Sequence, residues 1–184
     1  ALFLLLKRGL NVSCVMVGEN IDQSNTTLMN SIYKLGLNKE TNVKSRSTEQ
    51  QDVSKFQKNL ILAGSRSDIP AVMNALDVNI LSSVSESFGL VVAEAMACGT
   101  TCVVTNSEGP ALIVGESGWV VPPRNSEALA NAIESAINML KSNDIEIVRK
   151  KCRQRIEANY SIKNMVRDYN DIWSKACQIE GIKK

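Results

Sequence analysis

At 184 residues, 44% of them apolar and 22% charged, the chain has the composition of a soluble globular protein with one substantial core. A formal net charge of +2 gives no case for nucleic acid as a partner. No apolar run reaches the roughly 18–20 residues of a transmembrane helix, and the lack of any histidine excludes Ser-His-Asp, Cys-His and histidine acid–base chemistry within the chain.

The chain opens on the short apolar stretch Ala1 to Leu6, followed by Lys7 and Arg8. A signal peptide would carry its charges before the apolar region. The stretch reads instead as the end of a core helix, in a chain that starts inside a larger protein. Asn11 to Val17 is nearly continuous in apolar residues and ends at Gly18, as suits a strand buried on both faces of a parallel sheet. A helix is predicted from Thr26 to Leu35, closed by Gly36. Asn38 to Lys58 is polar and reads as a loop with one short element.

Beyond it the alternation is regular. Leu60 to Ala63 is predicted as a strand, Ile69 to Leu76 as a helix with Pro70 in its first turn, and Val78 to Leu81 as a strand. Leu90 to Cys98 is a helix closed by Gly99, and Cys102–Val104 and Trp119–Val121 are strands. This order implies crossovers and a parallel sheet. The last third is helical. Leu129, Ile133, Ala136, Ile137 and Leu140 form one apolar stripe, and Ile162, Met165, Val166, Tyr169, Ile172, Trp173 and Ala176 a second. Both stripes read most simply as core-facing, with partner binding as the alternative for the second. The expected architecture is α/β: a single Rossmann-like, doubly wound parallel unit over residues 1–184 with a helical C-terminal cover.

The five cysteines are odd in number and lie among apolar neighbours. Cys98 and Cys102 lack the second pair or histidine that a metal site needs. They read as small buried hydrophobes in a reducing cytoplasm.

In an open parallel sheet, ligands bind where strand ends run into helix N-termini. After Val78–Leu81 comes Ser82 to Gly89, small and polar, and then the helix from Leu90. Such a turn lets an anion, typically phosphate, approach backbone N–H groups at the positive end of the helix dipole. Glu86 stands before that helix, and Glu94 lies inside it on the same side as Leu90. Glu94 can accept hydrogen bonds from a cis-diol such as ribose. Glu86 falls beyond the phosphate, where a sugar on a diphosphate must lie. The bland alternative is one glutamate favouring the helix dipole and one solvated glutamate.

These residues carry a family resemblance. From about Gly64 to Leu140 the chain resembles the C-terminal domain of family 4 glycosyltransferases, retaining enzymes of the two-domain GT-B fold. Gly64-Ser65-Arg66-Ser67-Asp68-Ile69 and Ala75-Leu76-Asp77-Val78 match, as do Gly118 to Pro123 and Glu127 to Ala130. The specific block is Glu86-Ser87-Phe88-Gly89-Leu90-Val91-Val92-Ala93-Glu94-Ala95-Met96-Ala97-Cys98-Gly99.

The resemblance implies that Glu94 binds the nucleotide's ribose and that Ser87, Phe88, Gly89 and Leu90 face the diphosphate through amides or packing. It implies that Glu86 contacts the donor sugar at the reacting carbon, as nucleophile or orienting group, and that Ser65 and Arg66 contact the base. It further implies a nucleoside diphosphate sugar donor, no metal or other cofactor, and a separate N-terminal acceptor-binding domain. It points to a cytoplasmic enzyme, is compatible with peripheral membrane association of the whole protein, and leaves this piece inactive alone.

Three departures stand out. The cationic segment that faces the diphosphate falls before residue 1, Thr101 replaces a usual proline, and Leu112 a usual glutamate. Among rivals, an epimerase of the same fold would be expected to bring histidine, and a phosphorylase a cofactor-bearing lysine. A response-regulator module would need an acidic cluster, which Gly18-Glu19-Asn20 does not supply. A dinucleotide fold would need a Gly-x-Gly-x-x-Gly turn that the chain lacks.

Overall fold

The computed structural model describes residues 1–35, 59–142 and 145–179. The polar stretch Asn38 to Lys58 lies outside them. The chain divides into two compact units, Ala1–Ile69 and Pro70–Lys184.

The first unit contains α1 (Leu2–Lys7), β1 (Cys14–Met16), α2 (Thr26–Lys34) and β2 (Leu60–Leu62). The apolar opening is helical, as expected, with Leu5 and Leu6 buried. Asn25 starts α2, its side chain accepting from the Leu28 N–H at 3.0 Å, a substitute for a partner the first turn lacks. Leu6 and Ile32 form the centre of a cluster that takes in Phe3, Leu28, Met29 and Leu60. β1 and β2 are parallel, with Cys14 opposite Leu60 and Met16 opposite Leu62. β1 is shorter than the apolar run suggests and half-buried, not buried on both faces. A run of apolar residues sets where a strand can form; the three-residue ladder with β2 sets where it does.

The second unit follows a strand–helix alternation: α3 (Ile69–Ala75), β3 (Val78–Leu81), α4 (Leu90–Ala97), β4 (Thr101–Thr105), α5 (Glu108–Val114), β5 (Trp119–Val121), then α6 (Ser126–Ser142), α7 (Ile145–Asn159) and α8 (Ile162–Ile179). Its sheet is parallel, in the order β3-β4-β5. Val78 pairs with Thr101 and Val103 with Trp119. The α/β class with parallel sheets and flanking helices is therefore as the sequence indicates. The central strand β4 is buried at all five residues. Its polar side chains are satisfied: Thr100, just before the strand, donates to the Met73 carbonyl at 2.6 Å and Thr101 to the Ser117 carbonyl at 2.9 Å. Among the described residues no buried side-chain polar atom lacks a partner. This matters, because an unmade bond at such a site costs about 1–3 kcal/mol.

The helices at the C-terminal end divide unequally. α6 packs on β4 and β5, with Ile133 and Ala136 of the first apolar stripe buried, Leu129, Ile137 and Leu140 half-buried, and Ala130 and Ala132 buried beside them. α7 packs on α4 through Val148, Cys152 and Ile156. The second stripe does not face the core. Ile162, Met165, Val166, Tyr169, Ile172 and Trp173 on α8 are all exposed, Ile162 by 76% and Trp173 by 62%. The spacing identified a real apolar face, but periodicity does not say what covers it. No helix of the described residues is long and apolar enough to cross a membrane.

All five cysteines are free. Burial pushes the Cys102 thiol up to about 12, against a weaker opposing hydrogen bond from Asn79, and raises Cys152 as well. Cys177 is exposed on α8. In timed alkylation with iodoacetamide at pH 8, Cys177 is expected to react first, and Cys102 and Cys152 only on unfolding in urea. Native-state labelling of Cys102 as fast as Cys177, read by mass spectrometry, would contradict the packing of β4.

Candidate functional site

β3 ends at Leu81, and the chain then runs through an exposed turn into α4. Two anchors hold this turn. The Thr105 hydroxyl at the end of β4 donates to the Ser83 carbonyl, with the Leu81 carbonyl at 3.4 Å. At the other end, α5 comes in against residues 87–89. A Cβ on Gly109 would overlap the Ser87 carbonyl oxygen and the Phe88 backbone, and one on Gly89 would meet Pro110 Cγ at 2.8 Å. Gly89 also takes the left-handed conformation, φ 85° and ψ 51°, which costs other residues about 1–2 kcal/mol.

Gly89 is the N-cap of α4, and no side chain caps that helix. What fixes the helix is its buried face: Val92, Ala95 and Met96 are fully buried. Burial of a Val or Met side chain contributes about 1.5–3 kcal/mol each, whereas a missing polar cap costs about 0.5–2 kcal/mol and less with glycine. Packing therefore outweighs capping. The Val92 N–H bonds to the Gly89 carbonyl at 2.9 Å, and no side-chain acceptor meets the first-turn N–H groups, an arrangement that leaves room for an anion.

The opposite face of α4 carries Leu90, 64% exposed, and Glu94, also exposed. Glu94 lies about 6 Å along the axis from Leu90 by helical rise. Glu86 is half-buried in the turn, and Phe88 is half-exposed. Glu86, Ser87, Phe88, Gly89, Leu90 and Glu94 thus belong to one turn and the helix it opens. Ser65 and Arg66 belong to the first unit, just after β2. There Arg66 is engaged in a bidentate pair with Asp68, at 2.7 and 2.5 Å, which lowers the Asp68 carboxyl. Both side chains are exposed, so the pair is a weak local restraint.

A model of the family described as Glycosyl transferases group 1 matches residues 3–139. The chain belongs to this family. An Escherichia coli UDP-Gal:alpha-D-GlcNAc-diphosphoundecaprenol alpha-1,3-galactosyltransferase is 28% identical over 120 residues, 64% of this chain and 30% of that enzyme. A Rickettsia africae glycosyltransferase superimposes with a TM-score of 0.73 at 22% identity, over 95% of this chain and 42% of that one. Anabaena HepE in complex with UDP gives a TM-score of 0.72 at 22% identity, over 95% of this chain and 44% of that one. The chain spans less than half the length of each of these proteins. These solved neighbours, which are GT-B glycosyltransferases, share the fold.

Three supports of the site had no signal in the sequence reading: Thr105, the Gly109-Pro110 pair and Tyr160, whose ring meets Phe88 edge-on at 6.3 Å. Gly109 marks a close backbone approach. Gly109→Ala is expected to destabilise the chain by about 1–3 kcal/mol through overpacking, lowering the urea midpoint. An unchanged midpoint would mean that α5 does not sit against Ser87 and Phe88.

Proposed function

We propose that this chain is the donor-binding domain of a retaining family 4 glycosyltransferase that moves a sugar from a nucleoside diphosphate to an acceptor held by a separate domain. The observation that carries this reading is the uncapped N-terminus of α4 with Glu86 before it and Glu94 exposed four residues beyond Leu90. The amides and the positive end of the helix receive the diphosphate, whose charge grows as it leaves; preorganised dipoles aimed at developing charge are an effective form of catalysis. Glu94 holds the ribose hydroxyls. Glu86 faces the reacting carbon, where a carboxylate stabilises the positive charge that develops as the bond to the diphosphate breaks. The reading draws on no metal or cofactor.

A uridine donor is favoured by two relatives: Anabaena HepE has been solved with UDP and with UDP-glucose, and the E. coli enzyme is named for UDP-Gal. Free cysteines with burial-raised thiols fit a reducing cytoplasm. In this proposal the chain alone binds the diphosphate weakly and transfers nothing, because the reading assigns the acceptor to a separate domain.

Two substitutions separate the roles. Glu94→Ala removes at least one hydrogen bond to a charged acceptor, worth about 1.5–3 kcal/mol, so nucleotide affinity falls about ten- to a hundredfold. Glu86→Gln keeps shape and removes charge at the part of the donor that reacts. It leaves affinity for UDP nearly unchanged and sharply lowers turnover of the whole enzyme. Calorimetric titration of the chain with UDP, GDP and ADP, with turnover measured in the whole enzyme, checks both. Normal turnover by Glu86→Gln, or undiminished nucleotide binding by Glu94→Ala, would reverse the assignment.

A further inference from the structure

Tyr160 follows directly on α7, its N–H bonded to the Ile156 carbonyl at 2.8 Å. From there it reaches two parts of the donor turn's support. Its ring meets the Phe88 ring edge-on, with centroids 6.3 Å apart and planes at 78°. Its hydroxyl donates to the Leu112 carbonyl at 3.1 Å, in the last turn of α5. Arg155, one turn earlier on α7, donates to the same carbonyl and to that of Ile113, both at 2.6 Å. The last carbonyls of a helix have no partners within it, and here the end of α7 supplies them. The other end of α5 carries Gly109 and Pro110, which lie against Ser87, Phe88 and Gly89. Phe88 is therefore held from behind by α5 and from the side by the Tyr160 ring, and Tyr160 also holds α5.

We propose that Tyr160 is a positioning residue that holds the Glu86–Phe88 turn so that the turn grips the terminal phosphate of the donor; this rests on the donor-site reading above. Tyr160 acts through Phe88 and α5 and touches no donor atom itself. The ribose contact at Glu94 lies further along α4 and does not depend on it. The ring carries most of the effect, because the Leu112 carbonyl keeps Arg155 when the hydroxyl is lost.

The test uses mono- and diphosphates of uridine, guanosine and adenosine, titrated into the parent chain, Tyr160→Leu and Tyr160→Phe by calorimetry or NMR. The pair preferred by the parent is the one compared. Tyr160→Leu is expected to lose on the order of tenfold of the preference for diphosphate over monophosphate, the worth of one charge-assisted bond. Its monophosphate affinity stays within about twofold, and Tyr160→Phe keeps most of the preference. A merely structural role would lower both affinities together or neither, and either result overturns the proposal. Combined with Phe88→Leu, Tyr160→Leu should add little; losses that multiply would show that Tyr160 does not act through Phe88. If Tyr160→Leu does not fold, Phe88→Leu tests the same contact from the other ring, and an unchanged preference there overturns the proposal. A parent that binds none of the three diphosphates overturns the donor-site reading and this proposal with it. A parent that binds, with Tyr160→Leu unaltered, overturns the positioning role alone.

Discussion

Val92, Ala95 and Met96 lie in the core of the second unit, where α4 packs on β3, β4 and α7. This burial decides most of what the rest of the molecule can do. It sets the helix's rotation, which turns Leu90 and Glu94 outward, and it fixes the depth at which the helix starts. An N-terminus held by packing can do without a polar cap, and the amides left over become available to a ligand. The turn before it then has to be held by something other than its own side chains, which are largely exposed. Thr105, Gly109 and Pro110 supply that support from the strand and helix behind.

Much of this was legible in the sequence. Val78–Leu81 and Trp119–Val121 are observed with the predicted bounds, and the helix after Gly89 ends one residue before the predicted end. These segments are short and largely apolar, and the last two are bounded by glycine or proline, so local pattern and tertiary structure agree. The candidate turn from Glu86 into the helix was legible because its residues are contiguous. Its supports could not, since Thr105, Gly109 and Tyr160 reach it only through the fold. α5 drew no separate prediction, because Gly109 and Pro110 in its first turn have low intrinsic helix propensity. α7 drew no separate prediction: its buried residues, Val148, Cys152 and Ile156, recur only every fourth position among charges.

The α8 stripe went the other way. Its period is clean and its apolar residues are large, yet they are exposed. The Tyr169 and Trp173 rings meet at a tilt of 48°, centroids 5.7 Å apart, which removes some apolar area from water although both side chains stay exposed. An apolar face of this extent is larger than scattered surface leucines need explaining. It also bounds what hydrophobic spacing can tell: spacing finds the face, and the neighbours decide whether it is interior.

β4 is paired along one edge with β3 and along the other with β5, and all five of its residues are buried. An amide in such a strand meets solvent only when a neighbouring strand or an overlying helix lets go, so its exchange follows the largest openings of the unit. Residues 82–88 are largely exposed, and exposed side chains change rotamer in picoseconds to nanoseconds even where the backbone is anchored. The two therefore differ widely in frequency although one hydroxyl joins them. The side chains of the turn can adjust to a ligand many times over while the floor beneath them stays shut.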